Sequence, residues 1–136
     1  MPNNKILIID DEKPVIHSIY RTILLEDDTY ELLSANNGKK GLEIYRRENP
    51  ILVILDLKMP VMGGIEFLEN IHLAPDDLVS VVVLTGFGTD EQVKKCFDLG
   101  VSAFLRKPFN KYEFIGIVRH TIALNRLHQS LKQGQP

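Results

Sequence analysis

The stretch ILVILD, residues 51–56, decides the fold. Its unbroken apolar run suits a strand covered on both faces, as in a parallel sheet with helices on each side. The run ends in an aspartate, and the chain then turns at Met59-Pro60. A carboxylate at the end of a buried run is costly unless something uses it. Four more short apolar runs flank this one: KILIID (5–10), YELLSA (30–35), VSVVVLT (79–85) and VSAFLRK (101–107). The first and fourth of the five are, like the third, nearly solid Ile, Leu and Val. YELLSA mixes in polar residues and suits an edge.

Helical stretches lie between and after these runs. In the first, Val15, Ile16, Ile19, Tyr20, Ile23 and Leu24 recur at helical spacing and form one apolar stripe, with Pro14 in the first turn, where its missing N–H is not needed. The second, about 37–48, is weakened by Gly41. The third, about 64–73, carries Ile65, Leu68 and Ile71. The fourth begins at TDEQ, where Thr89 and Gln92 have capping-box spacing, and stops near Gly100. The fifth begins at NKYE, where Asn110 and Glu113 repeat the cap logic, and runs to about residue 132. The polar tail HQSLKQGQP is expected to fray. Strand–helix alternation of this kind means an α/β fold with a parallel sheet and right-handed crossovers.

Composition narrows the functional classes. The 136 residues fit one domain, and 44% hydrophobic with 25% charged residues is ordinary for a soluble globular protein. Sixteen basic against eighteen acidic residues give a net charge of -2, which argues against nucleic acid as a direct partner. The lone Cys96 excludes an internal disulfide framework and, with no signal leader in view, points to the cytoplasm. No apolar run reaches the ~18 residues of a membrane span.

Ligands of open α/β sheets bind beyond the carboxyl ends of the strands. The first strand ends in Asp10-Asp11 and then Glu12, the third in Asp56, the fourth in Thr85-Gly86 and the fifth in Lys107-Pro108. If these strands are neighbours, their terminal side chains share one rim. Three aspartates in a small space repel unless a cation sits among them. Carboxylates with waters and phosphate oxygens suit Mg²⁺, and no His or Cys at the strand ends supports zinc. Lys107 adds an ammonium and Thr85 a hydroxyl, so the set resembles a cradle for a phosphoryl group. Asp56, single and central, is placed to act as a nucleophile that forms an acyl phosphate. Each feature alone also has a plainer reading: Asp10-Asp11 as turn residues, Asp56 as a cap, Thr85-Gly86 as an ordinary strand end, Lys107-Pro108 as a solvated loop. Their joint occurrence favours the site. His17, His72, His120 and His128 lie in helical stretches and read as structural or surface residues, and Cys96 as core or half-buried.

The pattern resembles the receiver domain of two-component response regulators, on Asp10-Asp11, DLKMPVMGG (56–64), LTGFG (84–88) and FLRKPF (104–109). The resemblance covers about residues 4–125. It implies a flavodoxin-like (βα)5 fold, doubly wound, with a five-stranded parallel sheet in the order 2-1-3-4-5. It implies Asp56 as the acceptor of a phosphoryl group from a histidine kinase or phosphotransfer protein. Mg²⁺ would be held by Asp11, Asp56 and the Lys58 backbone carbonyl, with Asp10 acting largely through water. Lys107 would pair with the phosphoryl group, preceding a bond to Pro108 that is often cis. Thr85 would swing toward the phosphoryl oxygen and Phe104 would follow it inward. The family often has tyrosine at that position, so a phenylalanine switch must act by packing. Lys58 and Phe87 would tune the lifetime of the acyl phosphate. The face made by the fourth helix, fifth strand and fifth helix would carry the switch to a partner, with a homodimer as one option.

Gly86 and Gly41 depart mildly from the family pattern. Residues 1–125 are expected to form the receiver and 126–136 an extension of the last helix; the chain then reads either as a stand-alone receiver or, slightly favoured, as the amino-terminal piece of a larger regulator, with the extension as a linker to an absent output domain. Three rivals remain. A flavodoxin-like cofactor binder wants a Ser/Thr/Gly-rich phosphate loop where this chain has DDEKP. A Mg²⁺-dependent phosphohydrolase wants a general acid–base and a leaving-group pocket, and neither is apparent. A degenerate receiver that switches without phosphate fits poorly with the full acidic set.

Overall fold

The computed structural model describes residues 3–86 and 88–133. The elements alternate as β1 (Lys5–Ile9), α1 (Lys13–Glu26), β2 (Glu31–Ala35), α2 (Gly38–Glu48), β3 (Leu52–Leu55), α3 (Gly64–Ile71), β4 (Ser80–Thr85), α4 (Asp90–Asp98), β5 (Ala103–Arg106) and α5 (Lys111–Gln133). The strands form one parallel sheet in the order β2-β1-β3-β4-β5, with β2 at an edge. Each strand is shorter than its apolar run by one to three residues in all. Asp10, Asp56 and Lys107, the last residues of three of the runs, lie just past the ladder.

Strand alternation divides the core in two. Ile6, Ile8, Ile54, Val82 and Leu84 face α1 and α5, where Ile16, Ile19, Ile23, Phe114, Val118 and Ile122 cover them. Leu7, Ile9, Val53, Leu55, Val81 and Val83 face the other way, against Leu42 of α2, Phe67 and Leu68 of α3, and Cys96 of α4. β3 is buried at every position, which is why its sequence is solidly apolar rather than alternating. Cys96 is a core residue. Gly41, which reads as a weak point of α2, is needed there: a Cβ on it would lie 2.5 Å from Ile9 Cδ1. The helix rests its backbone directly on β1, and that close approach outweighs the cost of glycine in a helix.

Local signals at the helix ends are mostly as the sequence suggests. Thr89 and Gln92 form a reciprocal capping box at α4. At α5 the logic is only half repeated. The Glu113 amide donates to Asn110 Oδ1 at 2.8 Å, but the Glu113 carboxylate accepts from the Asn110 side-chain amide instead of from backbone. α3 is shorter than expected, ending at Ile71, and His72 is its left-handed C-cap (φ 49°) rather than a helical residue. α5 runs to Gln133, close to the expected residue 132, so the polar tail is part of the helix up to that point. α5 remains helical there because Asn125 donates to the Leu78 carbonyl (3.0 Å) and Ser80 Oγ (2.9 Å), and Lys132 to the Asp76 carbonyl (2.8 Å). These side chains tie the last turns to the segment before β4. Residues 134–136 of that tail lie outside the described residues.

The turn after β3 contains a strained residue. Met62 N–H donates to the Pro60 carbonyl at 2.8 Å, closing a three-residue turn around Val61 at φ 71°. A β-branched side chain in that region costs about 1–2 kcal/mol. Val61 is 75% exposed, so little packing compensates. Val61→Gly is expected to stabilise the fold by about 1 kcal/mol, raising the melting temperature by a few degrees. A thermal melt followed by circular dichroism checks this.

Candidate functional site

Backbone hydrogen bonds continue past the strand ends and fix the rim. The Asp10 amide donates to Ala35 O (3.1 Å), Asp56 to Ile9 O (2.9 Å) and Lys107 to Thr85 O (2.8 Å). Because Ile9 pairs with Leu55, the next residues, Asp10 and Asp56, come out side by side. The carboxylates of Asp10, Asp11 and Asp56 each offer an oxygen within 4.8 Å of the others. Among the described residues, no other group of three or more His, Cys, Asp and Glu side chains meets this way. Asp10 and Asp56 are buried, at 3% and 7% exposure, while Asp11 opens to solvent.

Lys107 closes the other side. Its ammonium donates to Asp10 Oδ2 at 2.8 Å and lies 3.6 Å from Asp56 Oδ2 and 3.9 Å from Glu12 Oε2. Burial pulls its pKa down, but the hydrogen bond and charge of Asp10, then the charges of Asp56 and Glu12, outweigh it and the net direction is up. For Asp56 the balance also goes up. Burial is the largest cause; the Asp10 charge adds to it, and Lys107, the Thr85 hydroxyl and the Lys58 amide oppose it without winning. An ionised Asp56 is therefore undercompensated in this pocket, which is the condition that a further cation relieves. The donor set fits a hard divalent ion: carboxylate oxygens without His or Cys.

The turn reading of Asp10 is also true of the molecule, since Asp10 Oδ1 accepts from the Glu12 amide at 2.9 Å. The Asp56 carboxylate makes a longer contact of the same kind, 3.4 Å from the Lys58 amide. Local turn roles and convergence on one rim thus coexist. Thr85, fully buried at the end of β4, reaches the same carboxylate with its hydroxyl. Phe104 sits lower on β5, half-buried against the core on the α4 side. The Lys107-Pro108 bond is cis. Phe87 lies outside the described residues.

Sequence reasoning gave no role to Glu12, which the structure brings to the rim beside Lys107. It also passed over Arg106, which donates to the Gly88 carbonyl at 2.6 Å. Position relative to the strand ends could have suggested Glu12. Nothing in the sequence signals the Arg106 contact, which depends on β5 lying beside the loop after β4.

Comparison with known proteins agrees with this geometry. Residues 6–119 match the model of the response regulator receiver domain. Sporulation initiation phosphotransferase F of Bacillus subtilis (strain 168) is 32% identical over 124 residues, covering 91% of this chain and 98% of that protein. Two longer transcription-regulator relatives are 34% identical, and the chain spans only 32% and 56% of their lengths. A CheY-like receiver domain protein from Methanospirillum hungatei JF-1 superposes with a TM-score of 0.82 at 27% identity, over 92% of this chain and 98% of that one. A chain of the CheX-CheY-BeF3-Mg²⁺ complex from Borrelia burgdorferi superposes with a TM-score of 0.77 at 26% identity, over 87% of each. With sheet order, acidic rim and family match in agreement, this chain belongs to the receiver-domain family of two-component response regulators.

Proposed function

We propose that this receiver accepts a phosphoryl group onto Asp56, from a histidine kinase or a phosphotransfer protein, and signals the change to a downstream partner. The observation that carries the reading is the convergence of Asp10, Asp11 and Asp56 within 4.8 Å, with the Lys107 ammonium 3.6 Å from the Asp56 carboxylate. Asp11, Asp56 and the Lys58 carbonyl would hold Mg²⁺, with Asp10 contributing largely through water. A bound divalent ion would neutralise the acids and draw charge from the phosphoryl oxygens. The Borrelia relative in complex with Mg²⁺ and BeF3 supports the same ligand chemistry here.

In the transfer, an Asp56 oxygen forms a bond to phosphorus as the bond from phosphorus to the donor breaks, and the bonding pair leaves with the donor. The product is an acyl phosphate. Lys107 gives up part of its pairing with the carboxylates to meet the new dianion, and the Thr85 hydroxyl turns from carboxylate to phosphoryl oxygen. Water later hydrolyses the acyl phosphate, at a rate set by Lys58 and Phe87. The chain thus processes its own phosphoryl group and turns over no external substrate. Loss of the resting contacts of Thr85 and Lys107 biases the face formed by α4, β5 and α5, the surface read by an effector or by a second copy. Residues 1–125 are read as the receiver and 126–136 as an extension of its last helix. No described helix is long and apolar enough to cross a membrane.

Intact mass after incubation with Mg²⁺ and acetyl phosphate tests the chemistry. The expected result is one phosphoryl adduct on the native chain and none when a chelator replaces Mg²⁺. No adduct under either condition contradicts the reading.

A further inference from the structure

We propose that Arg106 is a positioning residue that restrains Thr85 and the Phe104 ring in their resting arrangement, an inference that rests on the reading of Asp56 as phosphoryl acceptor. Phe104 and Arg106 are two residues apart on β5 and so project from the same side, while Leu105 packs into the opposite core. The Arg106 guanidinium lies 5.6 Å from the centroid of the Phe104 ring. The same guanidinium donates to the Gly88 carbonyl at 2.6 Å and comes within 3.9 Å of the Asp90 carboxylate, at the first residue of α4.

Gly88 is where these groups meet. A Cβ on Gly88 would lie 2.9 Å from Phe104 Cζ, and 3.5 Å from both Arg106 Nη1 and Thr85 Cγ2. Thr85 itself is the β4 partner of Arg106 in the sheet register. One cluster therefore joins the hydroxyl-bearing residue on Asp56, the backbone leading into α4, and the aromatic ring. A tyrosine at position 104 would have a phenol oxygen to couple to this loop. Phe104 offers only its π face and edge, and the planar cation of Arg106 links that face to the Gly88 carbonyl.

The consequence is a restrained resting state. A shift of Thr85 toward a phosphoryl group would perturb the Gly88 segment near its methyl, and moving the Gly88 carbonyl breaks its bond to the guanidinium that also lies against the ring. Removing the guanidinium favours the arrangement that Thr85 adopts with the phosphoryl group, and a larger population of that arrangement speeds uptake.

The test uses the whole chain as native, Arg106→Ala, Phe104→Ala and the double variant. Uptake from acetyl phosphate is followed by intact mass, and amide exchange is measured at Gln92 and Val93. Arg106→Ala is expected to take up phosphoryl about threefold to tenfold faster, with a melting temperature close to native because the side chain is half-exposed. In the Phe104→Ala background the same change is expected to add little, since ring and guanidinium act together. Exchange in the first turn of α4 is expected to rise by a similar factor while the sheet amides stay protected. Uptake equal to native, or fully additive effects of the two substitutions, overturns the proposal. If no chain acquires an adduct, the acceptor reading fails, and exchange then decides alone: rates equal to native overturn the restraint, and faster first-turn exchange upholds it.

Discussion

Asp56→Asn is expected to take up no phosphoryl group from acetyl phosphate and Mg²⁺, and, without Mg²⁺ at pH 7, to unfold at a higher temperature than the native chain. The first outcome follows because an amide is neither a nucleophile toward phosphorus nor an anionic ligand. The second follows from the pocket. Asp56 is 7% exposed, and burial, the largest cause, raises its pKa above the ordinary 3.8. An acid whose folded pKa is raised binds more protons folded than unfolded across the interval between the two values. Stability therefore falls as pH rises through that interval, and the full cost is present above it. Asparagine is nearly the same shape and carries no charge, so it removes the cost at neutral pH. Lys107 keeps its 2.8 Å bond to Asp10 and is not orphaned. The difference in melting temperature should shrink as pH falls toward the ordinary carboxylate range, and melts across a pH series check the sign. An Asp56→Asn chain that melts below native at pH 7 would show that the carboxylate is held by favourable contacts instead.

Phe67→Ala is expected to destabilise the fold by about 3–5 kcal/mol. Phe67 on α3 is fully buried against the β1–β3–β4 face and meets Tyr45 of α2 edge-on, with ring centroids 5.9 Å apart. Truncation loses the buried area and that contact and leaves a cavity between two helices and the sheet, which a rigid strand array cannot close. Against a typical total of about 5–15 kcal/mol, this is roughly a fifth or more of the stability of the domain. Urea unfolding measures it: the midpoint should fall with the slope unchanged. α3 also follows the turn that carries Asp56, so a loosened α3 should weaken Mg²⁺ binding as well.

The sheet was legible because burial on both faces leaves a coarse trace in sequence. β1, β3 and β4 are almost all Ile, Leu and Val, and the order 2-1-3-4-5 implied by the family resemblance is the order observed. The candidate site was legible for a related reason. Polar residues that interrupt a run at its carboxyl end stand out against it, so Asp10, Asp56, Thr85 and Lys107 could be picked out before any geometry was known. The structure brings these four together; the roles proposed for them rest on chemistry.

What the sequence did not reveal depends on contacts between distant segments. Lys132 reads as part of a polar tail and Asn125 carries no signal of its own, yet both bond to the segment before β4 across more than forty residues of chain. Gly41 reads as a helix defect until Ile9 is seen beneath it. Val61 in a left-handed turn opposes every local preference of valine, so no propensity argument could place it there. Arg106 has no visible task until the β4–β5 register sets it beside Gly88.

The most direct test of the central claim is to find the atom that carries the phosphoryl group. Borohydride reduction of the phosphorylated native chain converts an aspartyl phosphate to homoserine, and peptide sequencing by mass spectrometry then locates it. The account predicts homoserine at position 56 and at no other aspartate. Homoserine at Asp10 or Asp11, or a phosphoryl group that resists borohydride on a histidine, would contradict it.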